Sequence, residues 1–207
     1  MHAGVRRMSK RETNRLRCDF SPDKARYDRN AAILYASGHR PKRRRVRTLV
    51  EEMKITIRRE NPTQQDVVAL IAASDAYLRA LYPPASNHLV DVDGLASVDT
   101  VFLVARRSQS ALGTIAFRVL EPGHAEIKRL FVSGQARGFG LGRRLLAALE
   151  DAARRQGITR LSLETGIRQP EAIGLYRSAG YLECQPFGAY KPDPLSLFMS
   201  KRIIEPA

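Results

Sequence analysis

The run Gln135-Ala136-Arg137-Gly138-Phe139-Gly140-Leu141-Gly142 sets three glycines at alternate positions and is followed at once by Arg143 and Arg144. Beyond it Leu145, Ala148, Leu149 and Ala152 recur at three- and four-residue steps, the spacing of a helix face, while Ile127, Leu130, Phe131 and Val132 before it predict a strand. A strand that turns through glycines into a helix start presents backbone N–H groups with no partner inside the helix. The chemistry on offer there is the binding of an anion. Two phosphate loops fail on spacing. A P-loop closes on Gly-Lys-Ser/Thr, whereas Gly142 precedes two arginines; a dinucleotide fingerprint needs a third glycine three places after the second, and counting from Gly138 and Gly140 that place holds Arg143. A glycine-rich turn without a ligand is the plain alternative.

The elements that must hold this loop are legible from Lys54 onward. Ile55 and Ile57 alternate with polar neighbours as in a strand with one wet face, and Asn61-Pro62-Thr63 caps a helix through Val67, Leu70, Ile71 and Leu78 to Leu81, stopped by Pro83-Pro84. Val101 to Ala105 and Ile115, Phe117 and Val119 read as a hairpin turning at Ser108 to Ala111. Glu121-Pro122-Gly123-His124 turns the chain into the Glu126 strand, which makes His124 a turn residue. The helix after the glycines carries Glu150 and Asp151 four places before Arg154 and Arg155 on a solvated face, and Gly157 ends it. Leu161 and Leu163 give a strand after that helix, so a parallel pairing through a crossover is expected. Pro170 then opens a helix with Ala172, Ile173, Leu175, Tyr176 and Ala179 on one face, ended by Gly180, and strands at Tyr181 to Cys184 and Leu195 to Lys201 flank a connection from Pro186 to Pro194.

The chain has 207 residues, 43% of them hydrophobic, with two cysteines and a net charge of +14. One domain with a real core is expected. No apolar run is long enough to span a membrane and no signal-peptide pattern opens the chain, so a cytoplasmic protein is expected. Cys18 and Cys184 lack metal-ligand spacing, in keeping with a reducing compartment and no metal. Residues 1–52 carry 15 Lys and Arg against 6 Asp and Glu, a net +9, and include Lys42-Arg43-Arg44-Arg45-Val46-Arg47. This basic extension lacks apolar periodicity and reads as disordered. It is a nucleic-acid arm, a solvated tail, or a segment not normally translated, with Met53 as the start. The last reading is preferred, and nucleic acid is expected as a partner only through residues 1–52, if at all.

From Leu163 the chain reads Leu-Glu-Thr-Gly-Ile-Arg-Gln-Pro-Glu-Ala-Ile-Gly-Leu-Tyr-Arg-Ser-Ala-Gly-Tyr, ending at Tyr181. This resembles the second signature of the GNAT family of acetyltransferases, N-x-x-A-I-x-L-Y-x-x-x-G-F/Y, with Gln169 where the family has Asn. The glycine loop resembles that family's acetyl-CoA loop, Q/R-x-x-G-x-G/A, through Gln135, Gly138 and Gly140, and in a shifted frame through Arg137, Gly140 and Gly142. Both lie within roughly residues 54 to 203, and residues 1–52 fall outside the resemblance. It implies a GNAT-like acyl-CoA N-acyltransferase fold of mixed α/β (α+β) class: a mostly antiparallel sheet of about seven strands with a central, splayed parallel pair, and about four helices. The domain is expected over residues 53–207, as a monomer or homodimer.

The resemblance also implies the site. Acetyl-CoA as co-substrate is expected on Leu130, Phe131 and Val132, whose strand edge would pair with the cofactor arm, on Gln135, Ala136, Arg137, Gly138, Phe139, Gly140, Leu141, Gly142 and Arg143, and on Gln169. A backbone N–H near Phe131 or Val132 would meet the charge that develops on the thioester carbonyl. Tyr176 is the expected partner of the departing thiolate. A thiol of pKa about 8.5 facing a phenol near 10 makes complete proton transfer uphill by about 2 kcal/mol, so hydrogen bonding as the bond breaks is the better description. Glu126, in the run Ala125-Glu126-Ile127, is the expected catalytic base and Glu164 a second candidate; charge balance with Lys128 and Arg129 is the alternative for Glu126. Phe187 and Tyr190 would line the acceptor pocket. The expected reaction is acetyl transfer to the amine of a small molecule. A protein N-terminal or lysine acetyltransferase is the alternative, and a nucleic-acid-binding protein with an acyl-CoA-sensing domain the alternative of another class.

Overall fold

In the computed structural model, which describes residues 54–203, the strands are β1 (Ile55–Arg59), β2 (Thr100–Arg107), β3 (Ser110–Glu121), β4 (His124–Val132), β5 (Arg160–Gly166), β6 (Leu182–Glu183) and β7 (Ser196–Arg202). They form one sheet in the order β1-β2-β3-β4-β5-β7-β6. Every pairing is antiparallel except that of β4 with β5. The expectations for residues 1–52 and for Met53 lie outside the described residues.

Both faces of the sheet are covered, which is why β2 is buried at consecutive positions from Thr100 to Ala105 rather than alternately. On one face pack α3 (Leu141–Arg155) and α4 (Pro170–Ser178), on the other α1 (Gln65–Leu81) and the short α2 (Val92–Leu95). Helix α3 drives Leu141, Leu145, Leu146 and Leu149 into the larger core with Ile115, Phe117, Ile127, Leu161 and Leu163. Fully burying four leucines favours this arrangement by roughly 6–12 kcal/mol before chain entropy is counted. Val67 and Ile71 of α1 pack with Leu95, Phe102, Val104 and Ala116 on the opposite face.

Three local expectations are corrected. Helix α1 begins one residue later than the Asn-Pro-Thr signal suggests. Gln64 is the N-cap and gives no side-chain cap, while Asn61 Oδ1 instead accepts from the Thr63 N–H and hydroxyl, closing the turn before the helix. His124 is no turn residue: it opens β4, is buried, and its Nε2 lies 2.9 Å from Ser162 Oγ. Glu150 is buried rather than solvated, because Lys201 from β7 reaches it at 2.9 Å in addition to Arg154 at 3.3 Å.

The feature that makes a site is a break in β4. Ala125 and Ile127 face the α3 core, and so do Leu130 and Val132, so the inward phase slips by one between them. Arg129 absorbs the slip at φ +57°, a left-handed conformation that costs a residue with a Cβ about 1–2 kcal/mol, and the β3–β4 register shifts opposite it. Thr114 Oγ1 holds the displaced Arg129 carbonyl at 2.9 Å. β4 and β5 pair from His124↔Arg160 to Ile127↔Leu163 and no further. Beyond that pair the two strands part, and the β5-facing edge of residues 128–132 has no strand partner among the described residues.

Candidate active site

The opening between β4 and β5 carries three adjoining cavities. The first, of about 560 Å³, is lined by Leu130, Phe131 and Val132 at the free edge of β4, by Ala136, Arg137, Gly138, Gly140, Leu141, Gly142 and Arg143 of the loop, and by Gln169. Gly140 is the N-cap of α3 at φ +70° and Gly138 stands at φ +81°. A Cβ would meet nothing within 4 Å at either. These glycines are therefore required by the left-handed backbone that turns β4 into α3 rather than by crowding within the protein. Gly142, inside the first turn, faces Leu175 of α4. Gln135 and Phe139 are exposed and stand outside this lining. Arg137 lies over the rings of Tyr77 and Phe131 at 5.5 and 5.8 Å, and its Nε donates to the Val132 carbonyl at 3.2 Å.

The second cavity, about 100 Å³, lies at the apex of the opening and shares Leu130, Gln169 and Ala172 with the first. Tyr176 of α4 lines it. The side chain is 5% exposed, its ring stands edge-on to Tyr181 at 5.6 Å, and among the described residues its hydroxyl has no hydrogen-bond partner. Burial, with the nearby Glu164 charge adding to it, pushes the phenol above its ordinary value, so the hydroxyl keeps its proton at any working pH. Glu164, where β5 has left β4, lines the same cavity. Its Oε1 accepts from Ser196 Oγ at 2.7 Å, and Oε2 has no hydrogen bond among the described residues. Burial raises the Glu164 carboxyl above the usual carboxylate value, against the lowering effect of the Ser196 bond.

Glu126 lines the third cavity and not the apex. It is 1% exposed and held by Tyr190 Oη at 2.6 Å, Lys128 Nζ at 2.9 Å and, at 3.5 Å, Arg118. Lys128 also donates to the Tyr190 hydroxyl. Burial and the Glu126 charge raise the Tyr190 phenol, which makes it a firm donor to that carboxylate. Glu126, Lys128, Tyr190 and Arg118 line the third cavity, about 610 Å³, which Phe187 to Pro194 also line and which joins the second through His88, Leu89, Val90 and Lys128. Phe187 and Tyr190 thus do face this space, while also packing on Phe198 of β7 at 6.0 and 5.3 Å.

Two features of the apex had no counterpart in the motif reading. Arg129 at the break donates to Asp75 of α1 and to the Val90 carbonyl, tying both segments that roof the apex to β4. The one-residue slip of the apolar phase across Lys128-Arg129 was the available signal. Gly166 ends β5 against the ring of Tyr82, where an added Cβ would fall 2.1 Å from Cζ, and the Tyr82 hydroxyl accepts from the Arg168 N–H at 2.8 Å. Gln169, the N-cap of α4, takes the Gly166 N–H on its side-chain oxygen at 3.3 Å. Among the described residues no cluster of three His, Cys, Asp or Glu could hold a metal, and no helix is long and apolar enough to cross a membrane.

The sheet thus opens between two parallel strands, with a glycine-rich helix start at one mouth and a buried phenol at the apex. Comparison with known proteins gives the class. Residues 68–181 match the Acetyltransferase (GNAT) family model. The chain is 52% identical over 148 residues to IAA acetyltransferase of Azospirillum brasilense, covering 71% of this chain and 97% of that protein. A crystal structure from Klebsiella pneumoniae described as an acyl-CoA N-acyltransferase superposes with a TM-score of 0.62 at 38% identity, over 73% of this chain and 99% of that one. The Salmonella typhimurium acetyltransferase yncA, solved with its cofactor acetyl-CoA, shares the fold at a TM-score of 0.54 and 24% identity, over 74% of this chain and 96% of that one. The chain belongs to the acetyltransferase (GNAT) family and is an acetyltransferase of mixed α/β fold.

Proposed function

We propose that this protein transfers the acetyl group of acetyl-CoA to the amine of a small molecule. The observation that carries the reading is the continuity of three spaces: a loop that can seat phosphate, an apex lined by Tyr176 and Glu164, and an acceptor cavity beyond it. The residues present fit the co-substrate. The left-handed Gly138 and Gly140 aim the first N–H groups of α3, beside Arg143, at a pyrophosphate, and the unpaired edge of residues 128–132 offers backbone groups to an amide-bearing arm. When bound, acetyl-CoA supplies an activated acetyl thioester. The N–H groups of the β4 edge near Phe131 and Val132 meet charge developing on the carbonyl oxygen.

Tyr176 supplies its proton, or a strong hydrogen bond, to the departing sulfur. Its raised pKa makes complete transfer less favourable than for an ordinary phenol, so the bond is shared as the C–S bond breaks. The attacking amine must lose a proton, and a lysine-like ammonium is neutral to less than about 0.1% at pH 7. Glu164 Oε2 receives that proton directly, since it lines the apex and has no other bond. Glu126 serves behind it, through Lys128 and Tyr190, by fixing the charge and hydrogen bonding of the acceptor wall. The loop from Phe187 to Pro194 lines the acceptor cavity with apolar and aromatic groups, and support for a small-molecule acceptor comes from the relative at 52% identity, which is named IAA acetyltransferase. Release of free CoA thiol from acetyl-CoA across a panel of amines, amino acids and peptides tests the reading. Turnover with peptides alone would replace it with protein acetylation, and turnover with no amine would end it.

A further inference from the structure

The acceptor cavity carries one positive charge that the protein does not balance. Arg118 of β3 and Glu126 of β4 are direct cross-strand partners, so their side chains share a face of the sheet, and Lys128 stands two residues beyond Glu126 on that face. All three line the cavity. The buried Glu126 has a single charge to give, and it gives it first to Lys128 at 2.9 Å, with Arg118 only at 3.5 Å. Lys128 is nearly buried and donates to Tyr190 as well. The Arg118 side chain is 46% exposed and makes no hydrogen bond among the described residues.

The other charges of the lining come from the loop. Asp193 accepts from the Leu195 N–H at 2.8 Å, and that bond, with one from Ser86, holds its carboxyl below the ordinary value, so it stays an anion tied to the loop beside Lys191. Arg118, Lys128 and Lys191 thus face Glu126 and Asp193, and the surplus rests on the guanidinium that has donors to spare. Around it the wall is apolar: Leu120 follows on the same face of β3, and the Phe187 and Tyr190 rings meet edge to face at 5.3 Å. Arg118 lines this cavity and not the apex, whereas Lys128 lines both. Two residues of strand, about 7 Å, separate their levels. A carboxylate on the carbon that bears the reacting amine stays at the junction. One that reaches Arg118 needs a spacer.

We infer that Arg118 selects the acceptor, which is an amine joined through an apolar spacer to a carboxylate: the guanidinium binds the carboxylate while the amine lies toward the apex. The fork of N–H donors on arginine matches a carboxylate, and the apolar wall suits the spacer. The inference rests on the acetyl-transfer reading for the reaction, though binding of the acid does not depend on it. In the reaction the amine nitrogen bonds to the acetyl carbon, the C–S bond breaks and the amine loses a proton, while the carboxylate is unchanged.

The test uses γ-aminobutyrate, ε-aminocaproate and para-(aminomethyl)benzoate, each beside its methyl ester, with leucine and phenylalanine as acids that lack the spacer and with the full-length protein. Thiol release from acetyl-CoA should give the best spaced acid a kcat/KM about 5- to 30-fold above its ester, the effect of a charge-assisted hydrogen bond at a half-exposed site. Leucine and phenylalanine should fall with the esters, and the advantage should shrink in high salt. Without an acetyl donor the spaced acid should raise the melting temperature while its ester does not. Arg118→Gln should bring the ratio of acid to ester toward one, through KM rather than kcat, and Arg118→Lys should restore part of it. If the Gln variant fails to fold, the ligand series and its salt dependence on the unaltered protein still decide. Equal turnover of acids and esters would overturn the inference and leave acetyl transfer standing. So would a ratio that Arg118→Gln leaves unchanged, or a lead for the unspaced acids. Stabilisation by the spaced acids without turnover of any amine would retain the role of Arg118 and remove the transfer reading, and neither stabilisation nor turnover would end both.

Discussion

Replacing Tyr176 by Phe removes one oxygen from a residue whose hydroxyl has no hydrogen-bond partner among the described residues and whose ring is packed against Tyr181. No bond within the described residues is lost, and the hydroxyl opens on the apex cavity rather than being sealed in the core. The melting temperature should therefore hold within about 2 °C. Turnover should fall. Loss of a positioned proton donor lowers kcat by roughly 10²- to 10⁴-fold, equivalent to about 2.7–5.4 kcal/mol of transition-state stabilisation. Because burial lifts the phenol above its ordinary value, proton transfer to a thiolate of pKa about 8.5 is uphill by more than about 2 kcal/mol, and the help given must grow with the basicity of the leaving sulfur. Thiol release should be followed in single turnovers with acetyl-CoA and with acetyl thioesters of progressively more acidic thiols, beside a thermal melt of each protein. The ratio of wild-type to variant rates should shrink as the thiol becomes more acidic. A variant that melts several degrees lower and slows equally with every donor would show that Tyr176 acts through packing alone, and the argument from its unpartnered hydroxyl would be wrong.

Glu164→Gln should lower kcat/KM and abolish the acidic limb of its pH profile. Burial holds the folded Glu164 carboxyl above its ordinary 4.5, so the folded chain binds that proton more tightly than the unfolded one. The group favours folding below its unfolded value, and that contribution is lost as pH rises through the folded value. The Gln variant should accordingly melt higher than the wild type at pH 8, with the gap closing toward pH 4.5, and a gap independent of pH would refute the shift. Gly166→Ala puts a Cβ 2.1 Å from Tyr82 Cζ and should lower the melting temperature by roughly 3–10 °C, but by little in a Tyr82→Ala background; equal costs in both would place the strain elsewhere. Arg143→Glu reverses a charge beside the first turn of α3 and should raise KM about 3- to 10-fold for acetyl-CoA while leaving S-acetylpantetheine unaffected, and a like effect on both donors would separate Arg143 from the phosphates.

Much of this molecule is written locally. Apolar and alternating runs mark seven strands, three- and four-residue steps mark α1, α3 and α4, and the glycine run marks the turn from β4 into α3. Those signals survive because helix and strand periodicity, capping and left-handed glycines are set by neighbours in the chain. Motif spacing also placed Tyr176 and most of the loop, since a contiguous stretch fixes its own geometry. What the sequence left open depends on residues brought together from afar. Glu126 and Glu164 look alike as acids on neighbouring strands, yet one is held by Arg118, Lys128 and Tyr190 while the other keeps an oxygen unbonded at the apex, a difference made by where β4 and β5 separate and by a loop more than 60 residues further on. His124 read as a turn residue because nothing near it in sequence announces Ser162, and Glu150 read as solvated because Lys201 lies 51 residues away. Arg129 is the case between: the phase slip that requires a break is visible in the order of apolar residues, but only the folded sheet shows that the break turns its side chain inward, toward Asp75, Val90 and the cavity where β4 and β5 part. Local pattern determines what each segment becomes; which charges end up buried, paired or left with an unmade bond is decided by packing, because desolvation and hydrogen bonding depend on every group that approaches and not on the chain that carries them.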